Sequence, residues 1–235
     1  MNRVHQIALL VGTRPNIVKI SQFRKVFSNY PNLELKIIHS NQHYSDSVSN
    51  VFFSQFGIEA NVILPQFEGH ASAHMGHIIQ HLTSELMSDR PDLLIVVGDV
   101  NTTLAGALVG NKLGIRLAHL ESGLRSFDKT MPEEINRIVT DHISDFLFTT
   151  EISANVNLKN EGIADDKVFF VGNCMIDSLL QYITIAKENA PWKEYGFSGK
   201  DYILMTLHRP SNVDLKRKLK EILDMVSQVS EDIPI

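Results

Sequence analysis

Residues 119–137, HLESGLRSFDKTMPEEINR, bring together the glutamates Glu121, Glu133 and Glu134, the arginines Arg125 and Arg137, and His119. Carboxylates placed in a site can take up and return protons, and arginines can hold the charge of an anionic leaving group. The apolar run 115–120 just before them reads as a buried strand, so Glu121 is expected at or just past its C-terminal end. Ligands of open α/β sheets bind outside those ends. Ionisable groups are costly to bury there without partners or a task. The plainer alternative is a surface loop laced with ion pairs.

Other segments supply further candidates. Gly98-Asp99 closes the most apolar run of the chain, which places the Asp99 carboxylate at the same edge as Glu121. Two carboxylates at neighbouring strand ends would repel one another and separate their proton affinities, one route to an acid and a base in one site. Asp99 could instead cap the next helix, as could Thr102 and Thr103. Gly12-Thr13-Arg14-Pro15 ends the first apolar run and opens a helix, where backbone amides and the Arg14 fork suit phosphate or carboxylate; Lys19 follows about a turn later. Glu133 and Glu134 are favoured at a helix start by the macrodipole alone, and an i,i+4 pair between Glu133 and Arg137 would account for both. His208-Arg209 ends a later apolar run and would face the same cleft from a second sheet. His70, His74, His77 and His81, spaced four, three and four apart, share one helical face. No acidic residue stands between them as in a zinc helix, so a polar face or an interface is expected and no metal site.

These residues need elements to hold them. Continuous apolar runs at 7–11, 35–39, 92–97, 115–120, 146–149 and 168–171 belong to a count of seven candidate strands before Gly172. Between them come helical patterns at 15–27, through Val51, Phe52 and Phe56, at 72–87, at 103–113, from Pro132, and at 153–161 before Gly162. Strands apolar on both faces, alternating with helices, imply a doubly wound parallel sheet. The expected division is a Rossmann-like domain over 1–174, a connecting helix and linker over 175–200, and the start of a second α/β domain over 201–235. In that last part a strand at 202–206, a helix at 214–229 and a strand opening at 233–235 are expected. One such unit cannot cover its own faces, so the sequence reads as ending inside a domain.

Composition narrows the classes. The chain has 235 residues, 43% hydrophobic and 21% charged, with a net charge of −5. It is an ordinary globular sequence with no charge excess that calls for nucleic acid or an anionic membrane. Cys174 is the single cysteine, which excludes an internal disulfide and fits a cytoplasmic setting. The first apolar stretch is too short for a signal peptide or a membrane span. The G-x-G-x-x-G fingerprint is missing, so a bound dinucleotide is not expected.

The segments GTRPNIVK, VVGDVNTTLA, HLESGLRSFD with MPEEINR, VGNCMID and LHRPSNVD, in this order and at these separations, resemble the non-hydrolysing UDP-N-acetylglucosamine 2-epimerases over essentially the whole sequence. The resemblance implies a glycosyltransferase-B-type pair of Rossmann-like domains, no cofactor, a UDP-sugar as partner and a homodimer serving cell-surface polysaccharide synthesis. It implies interconversion of UDP-N-acetylglucosamine and UDP-N-acetylmannosamine, or a related UDP-2-acetamido sugar. The route is elimination of UDP to a 2-acetamidoglucal and re-addition. Asp99, Glu121 and Glu133 match the acid/base carboxylates and His208 a histidine near the diphosphate. Arg14, Lys19, Arg137 and Arg209 match substrate-side positions. Gln42 and His43 match a turn that carries an allosteric site in some bacterial members, although the basic residue expected beyond it has no evident counterpart. The Gly-rich acidic segment that grips UDP in the family falls beyond Ile235, so residues 1–235 alone are expected to bind UDP weakly and to epimerise slowly or not at all. Pro15 favours this class over the hydrolysing relatives, which release UDP and N-acetylmannosamine. A nucleotide-sugar-binding fragment without turnover is the remaining alternative. Arg125 is expected to be structural.

Overall fold

Along β1 (His5–Val11) the side chains alternate between two apolar layers. Ile7, Leu9 and Val11 enter one layer, with Ile17, Ile20, Ile37, Ile95 and Leu120. Ala8 and Leu10 enter the other, with Ile78, Leu82, Leu94, Val96 and Leu117. Period-two alternation between two dry faces is the signature of a strand covered by helices on both sides. The structure, a computed structural model, describes residues 3–41, 53, 55–207 and 210–235.

Seven parallel strands form one sheet in the order β3-β2-β1-β4-β5-β6-β7. They are β1, β2 (Leu33–His39), β3 (Val62–Ile63), β4 (Leu93–Val97), β5 (Arg116–Ser122), β6 (Phe146–Thr149) and β7 (Val168–Phe170). β3, two residues long, is too short to show a periodicity in the sequence. The order reverses between β1 and β4, and the chain leaves these neighbours toward opposite faces. This topological switch point opens a crevice at the strands' C-terminal ends. The doubly wound parallel sheet expected from the sequence is therefore present.

The helices among the described residues are α1 (Arg14–Lys19), α2 (Phe23–Phe27), α3 (Ala71–Ser88), α4 (Asn101–Leu113), α5 (Pro132–Ile143), α6 (Ile152–Asn160), α7 (Cys174–Asn189), α8 (Pro210–Val213) and α9 (Lys216–Val229). The single helix expected over 15–27 is two. The Ser178 hydroxyl bonds the Val18 carbonyl at 2.6 Å and Ser21 N–H reaches the same oxygen from three residues on, so the regular i+4 bond is displaced. The expected helix through Val51 and Phe52 and the turn with Gln42 and His43 lie outside the described residues, as do His208 and Arg209.

Two units are resolved, residues 1–181 and 182–235, and the division falls inside α7. In the second unit the strand expected at 202–206 does not form. Among the described residues its backbone makes one bond to another segment, Ile203 N–H to the Pro234 carbonyl at 2.8 Å, and without a ladder the segment stays irregular. The helix expected over 214–229 starts at Lys216, after a turn following α8. Among the described residues no helix is long and apolar enough to cross a membrane.

Candidate functional site

The loop after β1 is tied down by Asn16. Its Oδ1 accepts the N–H groups of Gly12 and Thr13, each at 3.2 Å, and its Nδ2 donates to the Val97 carbonyl at the end of β4, also at 3.2 Å. One buried amide thus fixes α1 against the neighbouring strand and carries Lys19 over the switch point. Gly12 has no room for a side chain, because a Cβ would collide with Thr102 and Ser40. Thr102 does not cap the following helix: its hydroxyl pairs with Ser40 at 2.7 Å, and Thr103 donates to the Val97 carbonyl at 2.7 Å. Burial behind the β4 turn directs both hydroxyls to the core side, and the N-cap position belongs to Val100.

Glu121 sits where β5 breaks register with β6 and has φ +75°, a left-handed conformation that a side-chain-bearing residue adopts only when its surroundings impose it. This turns its carboxylate into an ion pair with Lys19, the two side chains being 18% and 12% exposed. Gly98, at φ +68°, closes beneath them: a Cβ there would lie 3.1 Å from Lys19 Nζ and 3.2 Å from Glu121 Oε2. Asp99 follows and accepts from Arg137 Nε at 3.1 Å and Nη2 at 2.8 Å. Its backbone carbonyl is held by Asn136 Nδ2 at 2.8 Å. The two carboxylates therefore do not face one another bare, as the sequence suggested. Each has its own cation.

Arg137 does not pair with Glu133. Its Nη1 donates to Glu134 at 2.6 Å, one turn back. Glu134 is 1% exposed and also accepts the N–H groups of Ser126 and Phe127, both at 2.9 Å. Burial pushes its carboxyl up, but these two amides and the Arg137 guanidinium outweigh it and hold Glu134 below its ordinary range. Glu133 is exposed on the first turn of α5, with no ion pair among the described residues. Arg14 is exposed at the start of α1. The structure thus brings together Asp99, Glu121, Lys19 and Arg137 from the expected set, leaves Arg14 and Glu133 on the surface, and adds Asn16, Glu134 and Asn136.

Behind this wall runs a buried polar chain. His119 Nδ1 lies 2.6 Å from Asp141 and Nε2 lies 2.7 Å from the Gly98 carbonyl. Asp141 accepts from Gly123 N–H at 3.1 Å and pairs with Arg125 at 2.8 Å. Arg125 then grips both oxygens of Glu161 at 2.7 Å. Burial pushes Asp141 up, yet the charges and hydrogen bonds of His119 and Arg125 leave it lowered. Arg125, expected to be structural, is 1% exposed and wholly engaged in this chain.

Two cavities flank the wall. One of about 150 Å³ lies beside Lys19, with Phe23, Phe27 and Cys174 in its lining. Burial and the nearby Asp177 push the Cys174 thiol up, which makes it a poor nucleophile. The other, about 380 Å³, is lined by Ser126, Phe127 and Arg137. The four histidines form no metal cluster among the described residues. His77 bonds the Pro65 carbonyl at 2.8 Å, and Phe67 stacks on His74 and lies tilted against His77.

The family model for UDP-N-acetylglucosamine 2-epimerase matches residues 25–235. The chain belongs to this family. A UDP-N-acetylglucosamine 2-epimerase of Methanocaldococcus jannaschii is 42% identical, over 96% of this chain and 63% of its own length. A UDP-2,3-diacetamido-2,3-dideoxy-D-glucuronate 2-epimerase of Pseudomonas aeruginosa is 36% identical, over 97% and 64%. The crystal structure of the M. jannaschii enzyme in complex with UDP-GlcNAc and UDP superposes with a TM-score of 0.87 at 41% identity, over 96% of this chain and 63% of that one. The Neisseria meningitidis enzyme bound to UDP-GlcNAc gives a TM-score of 0.88 at 27% identity, over 97% and 63%. The chain spans a little under two thirds of the length of these relatives.

Proposed function

We propose that the chain carries the first wall of a UDP-sugar 2-epimerase that interconverts UDP-N-acetylglucosamine and UDP-N-acetylmannosamine without net hydrolysis. The observation that carries the reading is the pair of carboxylate–cation couples, Glu121–Lys19 and Asp99–Arg137, set side by side at the switch point of the sheet. The C2 proton of the substrate is not next to a carbonyl, so its removal is coupled to loss of the C1 substituent. A carboxylate takes the C2 proton, the C1–O bond breaks with its electron pair leaving on UDP, and a C1=C2 bond forms. Re-addition of UDP and reprotonation of C2 from the other face complete the inversion. Such a cycle needs proton-transfer groups close to cations that stabilise the departing diphosphate. Glu121 and Asp99 supply the former here and Lys19 and Arg137 the latter. Glu133 and Arg14 join from the surface side as substrate fills the crevice, and the roles of His208 and Arg209 rest on the family resemblance. The finer assignments, a homodimer in the cytoplasm feeding cell-surface polysaccharide synthesis with Gln42 and His43 in an allosteric turn, rest on the family resemblance.

The name of the P. aeruginosa relative supports a second sugar, a UDP-2,3-diacetamido uronate, as alternative substrate. Chromatography of reaction mixtures tests the reading. The assay uses the chain alone and the chain continued by the C-terminal part of the M. jannaschii enzyme. Slow or absent turnover is expected from the first. From the second, the UDP-sugar epimer is expected to form without free UDP. Accumulation of UDP with free N-acetylmannosamine would instead assign the hydrolysing reaction.

A further inference from the structure

His119 is fully buried, and both of its ring nitrogens face groups that can only accept. The Gly98 carbonyl has no proton to give, so Nε2 must donate to it. Asp141, 2.6 Å from Nδ1, also accepts the Gly123 N–H and lies against the Arg125 guanidinium, so the ring is anchored on this side as well. His142, half exposed, lies 3.9 Å from Glu161 at the outer end of this chain, and Lys19 and Glu121 lie over Gly98 at its inner end.

The Gly98 carbonyl is the point where this chain meets the wall. Gly98 donates its N–H to the Leu120 carbonyl at 2.9 Å, so the ends of β4 and β5 are cross-linked twice through one residue. That residue lies directly beneath the Lys19–Glu121 pair and precedes Asp99.

We infer that His119 is a positioning residue whose Nε2–H clamps the Gly98 carbonyl while Nδ1 is anchored against Asp141. Through this clamp it fixes the turn that sets Lys19, Glu121 and Asp99 in place. The inference rests on the epimerase reading only for what the wall is used for. Its test contains no nucleotide sugar, so the two can fail separately.

The test is nitrogen-15 NMR on protein labelled at histidine. His119, assigned by the signal lost in His119→Gln, is expected to show a proton on Nε2, donated to the Gly98 carbonyl. A deshielded, unprotonated Nε2 on His119 would overturn the inference. The second arm compares His119→Gln, whose amide can still reach the Gly98 carbonyl, with His119→Asn, whose shorter amide reaches only Asp141. Backbone amide shifts of Gly98 and Asp99 are expected to stay near wild type in the Gln variant and to move in the Asn variant. Equal displacement in both, with each folded by circular dichroism, would show that the bond to Gly98 does not position the turn. Should the Asn variant fail to fold, the wild-type ring signals decide.

Discussion

At the residue scale, adjacent glutamates on α5 have opposite roles. Sequence favours both Glu133 and Glu134 at a helix N-terminus, and nothing in their order tells which turns inward. The choice is made by Arg137, which reaches back three residues, and by the loop amides of Ser126 and Phe127 that cradle Glu134. Arg137→Ala would leave Glu134 buried without the cation it pairs with and held only by neutral hydrogen-bond donors, at a cost on the order of 3 kcal/mol measured by chemical denaturation. Glu133→Ala, on the surface, should stay within about 0.5 kcal/mol of wild type. The pairs Lys19–Glu121 and His119–Asp141 were equally hidden, since 102 and 22 residues separate the partners. A histidine in an otherwise apolar strand and an aspartate on the inward face of a helix were the available signals. The lowered carboxyls of Glu134 and Asp141 bear on stability as well. Their contributions are complete above their ordinary values of 4.5 and 3.8 and are lost as pH falls through the lower folded-state values. Melting temperature should therefore decline on acidification from about pH 5, and Asp141→Asn should blunt the decline. An unchanged acid limb in that variant would count against the buried chain as its source.

At the element scale six of the seven strands were legible because each is an apolar run with a glycine or a polar turn at its end, while β3 is too short to show one. The placement of Glu121 at the end of β5 and Asp99 beyond β4 followed from that alone. What could not be read was interruption from outside: the break between α1 and α2 needs Ser178, 160 residues away from Val18. The segment at 202–206 shows the converse, an apolar pattern that makes a strand only when neighbours supply a ladder. Close approach is equally invisible in sequence. Gly106 on α4 packs against β1 and β4 so tightly that a Cβ would lie 2.8 Å from Val96 and closer still to Leu10. Gly106→Ala should cost about 1–3 kcal/mol by overpacking, despite the better helix propensity of alanine. Gly98→Ala combines left-handed strain of roughly 1–2 kcal/mol with pressure on Lys19 and Glu121. It is expected to lower turnover more than stability, as comparison of kcat with the denaturation midpoint would show.

At the scale of the whole molecule, one seven-stranded sheet and the helices packed on it carry the two carboxylates, their two cations and the buried chain behind them. Every partner in that arrangement comes from residues 1–181, which form one unit. The central claim is that this wall moves the C2 proton of a UDP-2-acetamido sugar, with Glu121 among the proton-transfer groups. Its most direct test is proton NMR of UDP-N-acetylglucosamine in deuterium oxide, using the chain continued to family length and the same protein with Glu121→Gln. Deuterium should enter C2 of both epimers with the wild-type wall, and the exchange should fall by about 10²-fold or more in the variant. Epimer formed without deuterium at C2, or equal exchange in the two proteins, would contradict the account.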